Sequence, residues 1–322
     1  MKFIVLLMVL IASPAAAAGL TISEPVSVPE GETLVIENQT VVVTGNGGIS
    51  LEGGTLRITD SQIEAQATPI ATDEDFTLVA QRFLSGSGRI EISGVTFSAN
   101  EPYASAFIDA DAISGFVIGS EIIHAHGAIV ARDANGLRIS GNLIDRTSLT
   151  SIYVEGSDIE ILNNYITLPG GGIIGDGITI GNSRSVTVRR NSIVAGTCYG
   201  IWLRADKAEN VTISENTVTY GITAGISVSG KQGEIDAKGI TISGNSLIGN
   251  AGFGISLKGA ATVTGNILSG NAEGFPSQIH IAEGTEADIH SNVEAIKTDP
   301  AWAAEMKMGR RNWRPHGPAY QW

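Results

Sequence analysis

Cysteine is almost missing from this sequence. Cys198 is the only one, so no disulfide can form within the chain, and a disulfide-stapled fold is excluded. Aromatic residues are scarce at 6% and charged residues at 16%, a poverty that, beside 40 glycines, suits many short strands joined by tight turns. Basic residues are outnumbered by acidic ones, 20 against 33, for a formal charge of −13. That balance excludes a broad surface for nucleic acid or an anionic membrane. Long apolar runs are also lacking. The run from Phe3 to Ile11 is too short to span a bilayer, and no other segment approaches the required length. With Lys2 before it and Ala16-Ala-Ala18 after it, that run has the form of a signal peptide over residues 1–18. The expectation is export to the periplasm or beyond, with a mature start near Gly19 and no cysteine there to carry a lipid.

What the chain does have is one recurring phrase. It is clearest in Val211-Thr-Ile-Ser-Glu-Asn-Thr-Val218 and returns from Leu137, Ile159, Val186, Ile240 and Ala261, each copy carrying an asparagine at its sixth position. These asparagines, Asn142, Asn164, Asn191, Asn216, Asn245 and Asn266, stand 21 to 29 residues apart. A repeat of that period is the mark of a solenoid. Each phrase alternates apolar and polar residues, many of them β-branched, which is the pattern of a half-buried strand. Asparagine tolerates left-handed backbone and bonds to nearby main chain, so it suits the corner where such a strand turns. Stacked in register, the asparagines would also bond amide to amide. Between them lies a second strand phrase, Gly200-Ile-Trp-Leu203, Gly225-Ile-Ser-Val228 and Gly254-Ile-Ser-Leu257. Two strand phrases and two turns make one coil, and the fold read from the residues is an all-β parallel β-helix of about ten coils.

Along the chain, residues 19–33 form a leading segment interrupted by Pro25 and Pro29, suited to covering the first coil. The helix proper runs over 34–292. Its early coils are degenerate, with Gln39, Ser61, Val95 and Glu121 at the asparagine position, and an acidic excursion over 64–75 accounts for the long interval from Ser61 to Val95. Residues 293–322 are different. Asp299-Pro300 signals a helix start, leading into a short helix to Met308 and then a basic, aromatic tail.

Asparagine-ended coils of this length resemble the right-handed parallel β-helix superfamily, which includes pectate lyases, polygalacturonases, alginate epimerases and lyases, and periplasmic NosD-like proteins. The resemblance covers Leu34 to Asn292 and implies the fold and its right hand. It does not select a chemistry, because members share a scaffold and differ in their sites. Gly175-Asp-Gly-Ile178 lacks the second aspartate of the polygalacturonase phrase, and the Asp-Pro-His of alginate epimerases is absent.

Function on such a scaffold rests on outward side chains, since inward ones fill the core. Aligning the second strand phrases predicts two outward columns. One holds Ser50, Val79, Phe107, Val130, Tyr153, Thr179, Trp202, Ser227, Ser256 and His280. The other, two residues on, holds Glu52, Gln81, Asp109, Arg132, Glu155, Gly181, Arg204, Ser229, Lys258 and Ala282. Tyr153, Trp202, Glu155, Arg132 and Arg204 are thereby expected on one patch suited to a sugar chain, with the arginines pairing carboxylates; a plain cross-strand charge ladder is the competing reading. The preceding turns hold His124, His126, Asp145, Arg146, Asp176 and Tyr199. His124 and His126, if extended, point the same way and with Asp145 would hold a divalent cation; alternatively His126 acts as a base on a sugar ring while Arg132 or Arg146 neutralises a uronate. No dedicated cofactor motif is present, and an uncommitted surface pair of histidines explains the same residues. Cys198 reads as a buried stacking cysteine.

Three functions remain open on this reading. The first is an exported protein that binds a polysaccharide across Tyr153 and Trp202, with Glu155, Arg146, Asp176 and Tyr199 as further contacts, and cleaves or epimerises it through His124, His126, Asp145, Arg132 and Arg204. The second is a non-enzymatic NosD-like assembly or metal-handling factor. The third is a structural rod.

Overall fold

The computed structural model describes residues 7–9, 19–66, 81–100, 105–167, 169, 175–194, 198–231, 233, 235–272 and 275–295. Among them the only regular element is the β-strand, and every pairing between named strands is parallel. The rest of the signal-peptide stretch, most of the 64–75 excursion, Val79, and the expected C-terminal helix and tail lie outside the described residues. The chain divides into two compact units, one of residues 1–147 with 151–165, the other of 148–150 with 166–322.

Each unit is built from stacked coils of three strands, one more than the phrases suggest. The recurring phrase is bent at its asparagine. In the second unit Val211–Ser214 belongs to one stack, pairing with Val186–Arg189 and Thr241–Ser243, whereas Thr217–Thr219 belongs to another, pairing with Ser192–Val194 and Ser246–Ile248. The third strand is the second phrase, Ile201–Leu203, lying between Ile178–Ile180 and Ile226–Val228. The left-handed residue at the bend is the one before the asparagine: Glu215 at φ 55° and Gly141 at φ 67°, for example. The asparagines need no such φ, because their contribution is the side-chain amide rather than the backbone turn.

That amide works as anticipated. Asn142 Nδ2 donates to Asn164 Oδ1 at 2.9 Å, and the same oxygen accepts from the Asn142 backbone N–H at 3.0 Å. In the second unit the pattern repeats from Asn191 to Asn216, Asn245, Asn266 and Asn292. All but the last are at most 2% exposed, so each ladder bond satisfies polar groups that water cannot reach. Degenerate positions keep part of the scheme. Ser61 Oγ accepts from Gln39 N–H, and Ser120 Oγ accepts from Val95 N–H. Ser120 therefore holds the ladder position; Glu121 pairs with Leu143 one strand position later and faces outward.

A second ladder runs at another corner of the second unit, from Asn250 through Asn271 to Gln278, with Nδ2 to side-chain oxygen distances of 2.8 Å. Inward residues stack like on like. Ile58, Ile92, Val117, Ile139 and Ile161 form one file in the first unit and Val188, Ile213, Ile242 and Val263 one in the second, all 0% exposed. Each contributes roughly 1.5–3 kcal/mol by leaving water.

Register gives the leading segment its strands and corrects part of one predicted column. Residues 19–33 are mostly strand: Leu20–Ile22 pairs with Val41–Val43, and Pro25–Pro29 with Gly48–Gly53. The prolines stand at the first and last positions of a strand, where a missing N–H is tolerated. In the first unit the outward column holds at Ser50, Val130 and Tyr153 but is misplaced by two residues at Phe107. Ile108 aligns with Leu84 and Ile129, which places Asp109, not Phe107, beside Val130 and Tyr153. Phe107 is 0% exposed, its ring 5.7 Å from Phe83 and 4.9 Å from Phe97. Gln81 aligns with Ser105 and so leaves the second column.

Candidate functional site

In the second unit the predicted columns hold in register, with Thr179, Ser227 and Ser229 buried on them. Thr179, Trp202, Ser227, Ser256 and His280 are successive partners, as are Arg204 and Ser229. Four of the residues singled out in the sequence come together here. The Tyr199 and Trp202 rings lie 4.5 Å apart at 40°, and the Arg204 guanidinium carbon sits 4.9 Å from the Trp202 ring centre. Trp202 Nε1 donates to Ser229 Oγ at 2.8 Å, which fixes the indole's tilt. Asp176 lies beneath them, 5% exposed, accepting from Thr179 Oγ1 at 2.7 Å and from the Tyr199 backbone N–H at 3.0 Å. Burial raises its pKa above the usual aspartate value, opposed by those two hydrogen bonds and by the charge of Arg204. Arginine stacked on indole keeps its N–H edge for oxygen ligands while its flat face is occupied. The result is an aromatic platform with a cationic hydrogen-bonding rim, oriented by a buried carboxyl.

Cys198, next in the chain to Tyr199, is half-buried rather than stacked in the core. Burial and the neighbouring Asp176 push its thiol up, with a Thr223 hydrogen bond opposing, so it stays protonated at neutral pH and is a poor nucleophile.

The first unit holds the other predicted residues. Asp109 is clamped, with Arg132 Nη1 donating to Oδ1 at 2.7 Å and Arg82 Nε 2.9 Å from Oδ2. Tyr153 Oη donates to Glu155 at 2.6 Å, and Arg146 Nε to Asp145 at 2.6 Å. His124 does not lie in an extended strand. It occupies a left-handed corner at φ 57°, as Arg146 does at φ 53° one coil on, so the two histidines are not related by strand alternation. Among the described residues no three His, Cys, Asp or Glu side chains are grouped to hold a metal ion. The geometry assumed for His124, His126 and Asp145 as ligands is thus not formed.

His126 is the more interesting of the pair. Burial lowers its pKa below the usual 6.5, partly offset by the charge of Asp109, so it is neutral and basic in neutral solution. A histidine with a depressed folded pKa binds fewer protons folded than unfolded below about pH 6.5. Its stabilising share is present above that pH and lost as pH falls through the folded value. We expect His126→Gln to flatten the loss of stability on acidification below pH 6.5, read from urea midpoints across that range. An unchanged slope would contradict the placement of the ring.

Sequence reading missed Thr179 and Ser229 as orienting partners, Arg82 on Asp109, and Phe253, whose Phe253-Gly-Ile phrase copies Tyr199-Gly-Ile.

The sequence matches the family described as right handed beta helix region over residues 83–272, and the chain belongs to that family. No curated protein matches it. Among solved structures, the catalytic unit of a thermostable GH87 α-1,3-glucanase from Streptomyces thermodiastaticus strain HF3-3 superposes with a TM-score of 0.55 at 15% identity. The match covers 87% of this chain and 64% of that one, so the chain spans less than two thirds of the glucanase unit. A variant of the periplasmic alginate epimerase AlgG superposes with a TM-score of 0.52 at 15% identity, covering 84% and 77%. At such identities the likeness concerns the fold.

Proposed function

We propose that the protein is an exported carbohydrate-binding β-helix that takes a polysaccharide on the outward strand face of its second unit. The observation that carries this is the Tyr199–Trp202 ring pair with Arg204 stacked beside it, on a file whose neighbours Ser227 and Ser256 are small. Aromatic faces next to hydrogen-bonding cations suit sugar rings, and a guanidinium pairs a uronate carboxylate in bidentate fashion. The glucanase and the alginate epimerase, both named for polysaccharide substrates, support the class. Met1 to Ala18 supports export.

The test is a panel of neutral and uronate polysaccharides presented to the wild type and to Arg204→Gln. Retention of at least one polymer is expected, with Arg204→Gln weakening uronate binding more than neutral binding by about tenfold, the effect of one charge-assisted contact. Failure of the wild type to bind any member of the panel would sink the reading.

A further inference from the structure

The aromatic side chain at the start of the second strand phrase recurs in the second unit. Tyr199 aligns with Ala224, and the pairing of Ile226 with Ile255 puts Phe253 at the same place one coil further on. Phe253 stacks on His280, ring centres 4.8 Å apart at 26°, and meets Phe275 at 5.0 Å and 57°. His280 belongs to the same outward file as Trp202, reached through Ser227 and Ser256. Phe275 is 56% exposed, a large ring left in water at the edge of this file. Nothing in the core asks for it there.

The spacing is set by the coil. Trp202 and His280 are three strand spacings apart, about 14 Å, and the floor between them carries only small side chains at the file positions. Cations lie on the next file. Arg204 aligns with Ser229, and Lys258 follows Leu257, the partner of Val228, so Lys258 stands two coils from Arg204 in the same file. A face with aromatic side chains at both ends of the file, and only the buried Ser227 and half-buried Ser256 between them, fits a chain of several rings better than a single ring.

We propose that Phe253, Phe275 and His280 form a second saccharide-stacking shelf, so that the second unit binds an oligosaccharide running along the direction in which its coils stack. This rests on the carbohydrate-binding reading of the Tyr199–Trp202 pair and adds the length and direction of the ligand. One end of the oligosaccharide lies on Tyr199 and Trp202 and the other on Phe253 and Phe275, with Arg204 and Lys258 meeting acidic or hydroxyl groups along one flank. The occupant is a sugar chain rather than a protein segment because the second shelf continues the file of the first and repeats its aromatic ring at the start of the strand phrase.

The experiment is calorimetric titration of the full protein with size-fractionated oligomers of mannuronan and of α-1,3-glucan, from disaccharide to octasaccharide. Affinity for the preferred series is expected to climb about tenfold once the oligomer is long enough to reach the second shelf, the contribution of one additional stacked ring. Phe275→Ala is expected to abolish that climb; its exposure leaves the fold intact, which the thermal midpoint checks. Phe253→Leu, which keeps an apolar side chain of similar bulk, should do the same. A flat length dependence, with short oligomers still held through Trp202, would overturn the second shelf and leave the first. Absence of binding at every length would overturn both.

Discussion

Asn216→Ala is expected to lower the unfolding free energy of the protein by about 2–6 kcal/mol, read from the urea midpoint. The side chain removed is 1% exposed and sits in the middle of the amide ladder. Its Oδ1 accepts from both the backbone N–H and the side-chain Nδ2 of Asn191, and its Nδ2 donates to Val188 O at 2.9 Å and to Asn245 Oδ1 at 3.0 Å. Alanine leaves the Asn191 N–H and the Val188 carbonyl without those partners in a place water cannot fill, and each orphaned group costs roughly 1–3 kcal/mol. Because stability in a solenoid is carried between nearest coils, the damage falls on the contacts to the coils on either side. Ser243→Ala, on a half-buried outward position of the same strand stack, serves as the comparison and should change the midpoint little. A ladder substitution no worse than that one would mean the amides are incidental to the fold.

Trp202→Ala is expected to weaken polysaccharide binding by about 30-fold, the effect of removing a ~2 kcal/mol aromatic anchor. Three contacts go with it: the ring pair with Tyr199, the stack under Arg204 and the hydrogen bond to Ser229. The last two matter because they hold the indole and the guanidinium in place before any ligand arrives, which lowers the entropy lost on binding. Trp202→Phe keeps a ring but loses the donor to Ser229, so an intermediate loss is expected. The fold should survive both changes, since Trp202 points outward from its strand between Ile201 and Leu203, which are 0% exposed. Isothermal titration beside a thermal melt separates the two effects. Retained affinity in Trp202→Ala would show that the sugar, if it binds, binds elsewhere.

How much of this could be read from the residues depended on how clean the local repeat was. The ladder from Asn142 onward was legible because one residue type marks one physical job, a buried amide bonding its own copy in the next coil. The first-unit column was misplaced at Phe107, by two residues, because no asparagine anchors the coil holding Phe107 and Asp109. There, only the preference of a phenylalanine for the core distinguished the two registers. The shift of one residue at Ser120 has the same origin, since a serine hydroxyl can replace the amide while an adjacent glutamate suits an exposed corner equally well. The second ladder carried a signal, Gly249-Asn250 and Gly270-Asn271, but its final member, Gln278, stands only seven residues beyond Asn271 and breaks the period. His124 was misjudged because alternation was extended across a corner, where a left-handed φ cancels it. At the candidate site, Trp202 and Arg204 were legible from strand alternation alone, whereas Tyr199, read as a turn residue, begins their strand. Asp176 required the turn geometry that turns its carboxyl toward the Tyr199 N–H.

The most direct measurement is a crystal structure of the protein soaked with oligosaccharides of mannuronan and α-1,3-glucan. The expected result is a sugar ring packed against Tyr199 and Trp202, with one of its oxygens or its carboxylate on the Arg204 guanidinium. A sugar bound on another face while Trp202 stays bare, or no sugar at saturating concentration, would contradict the central claim.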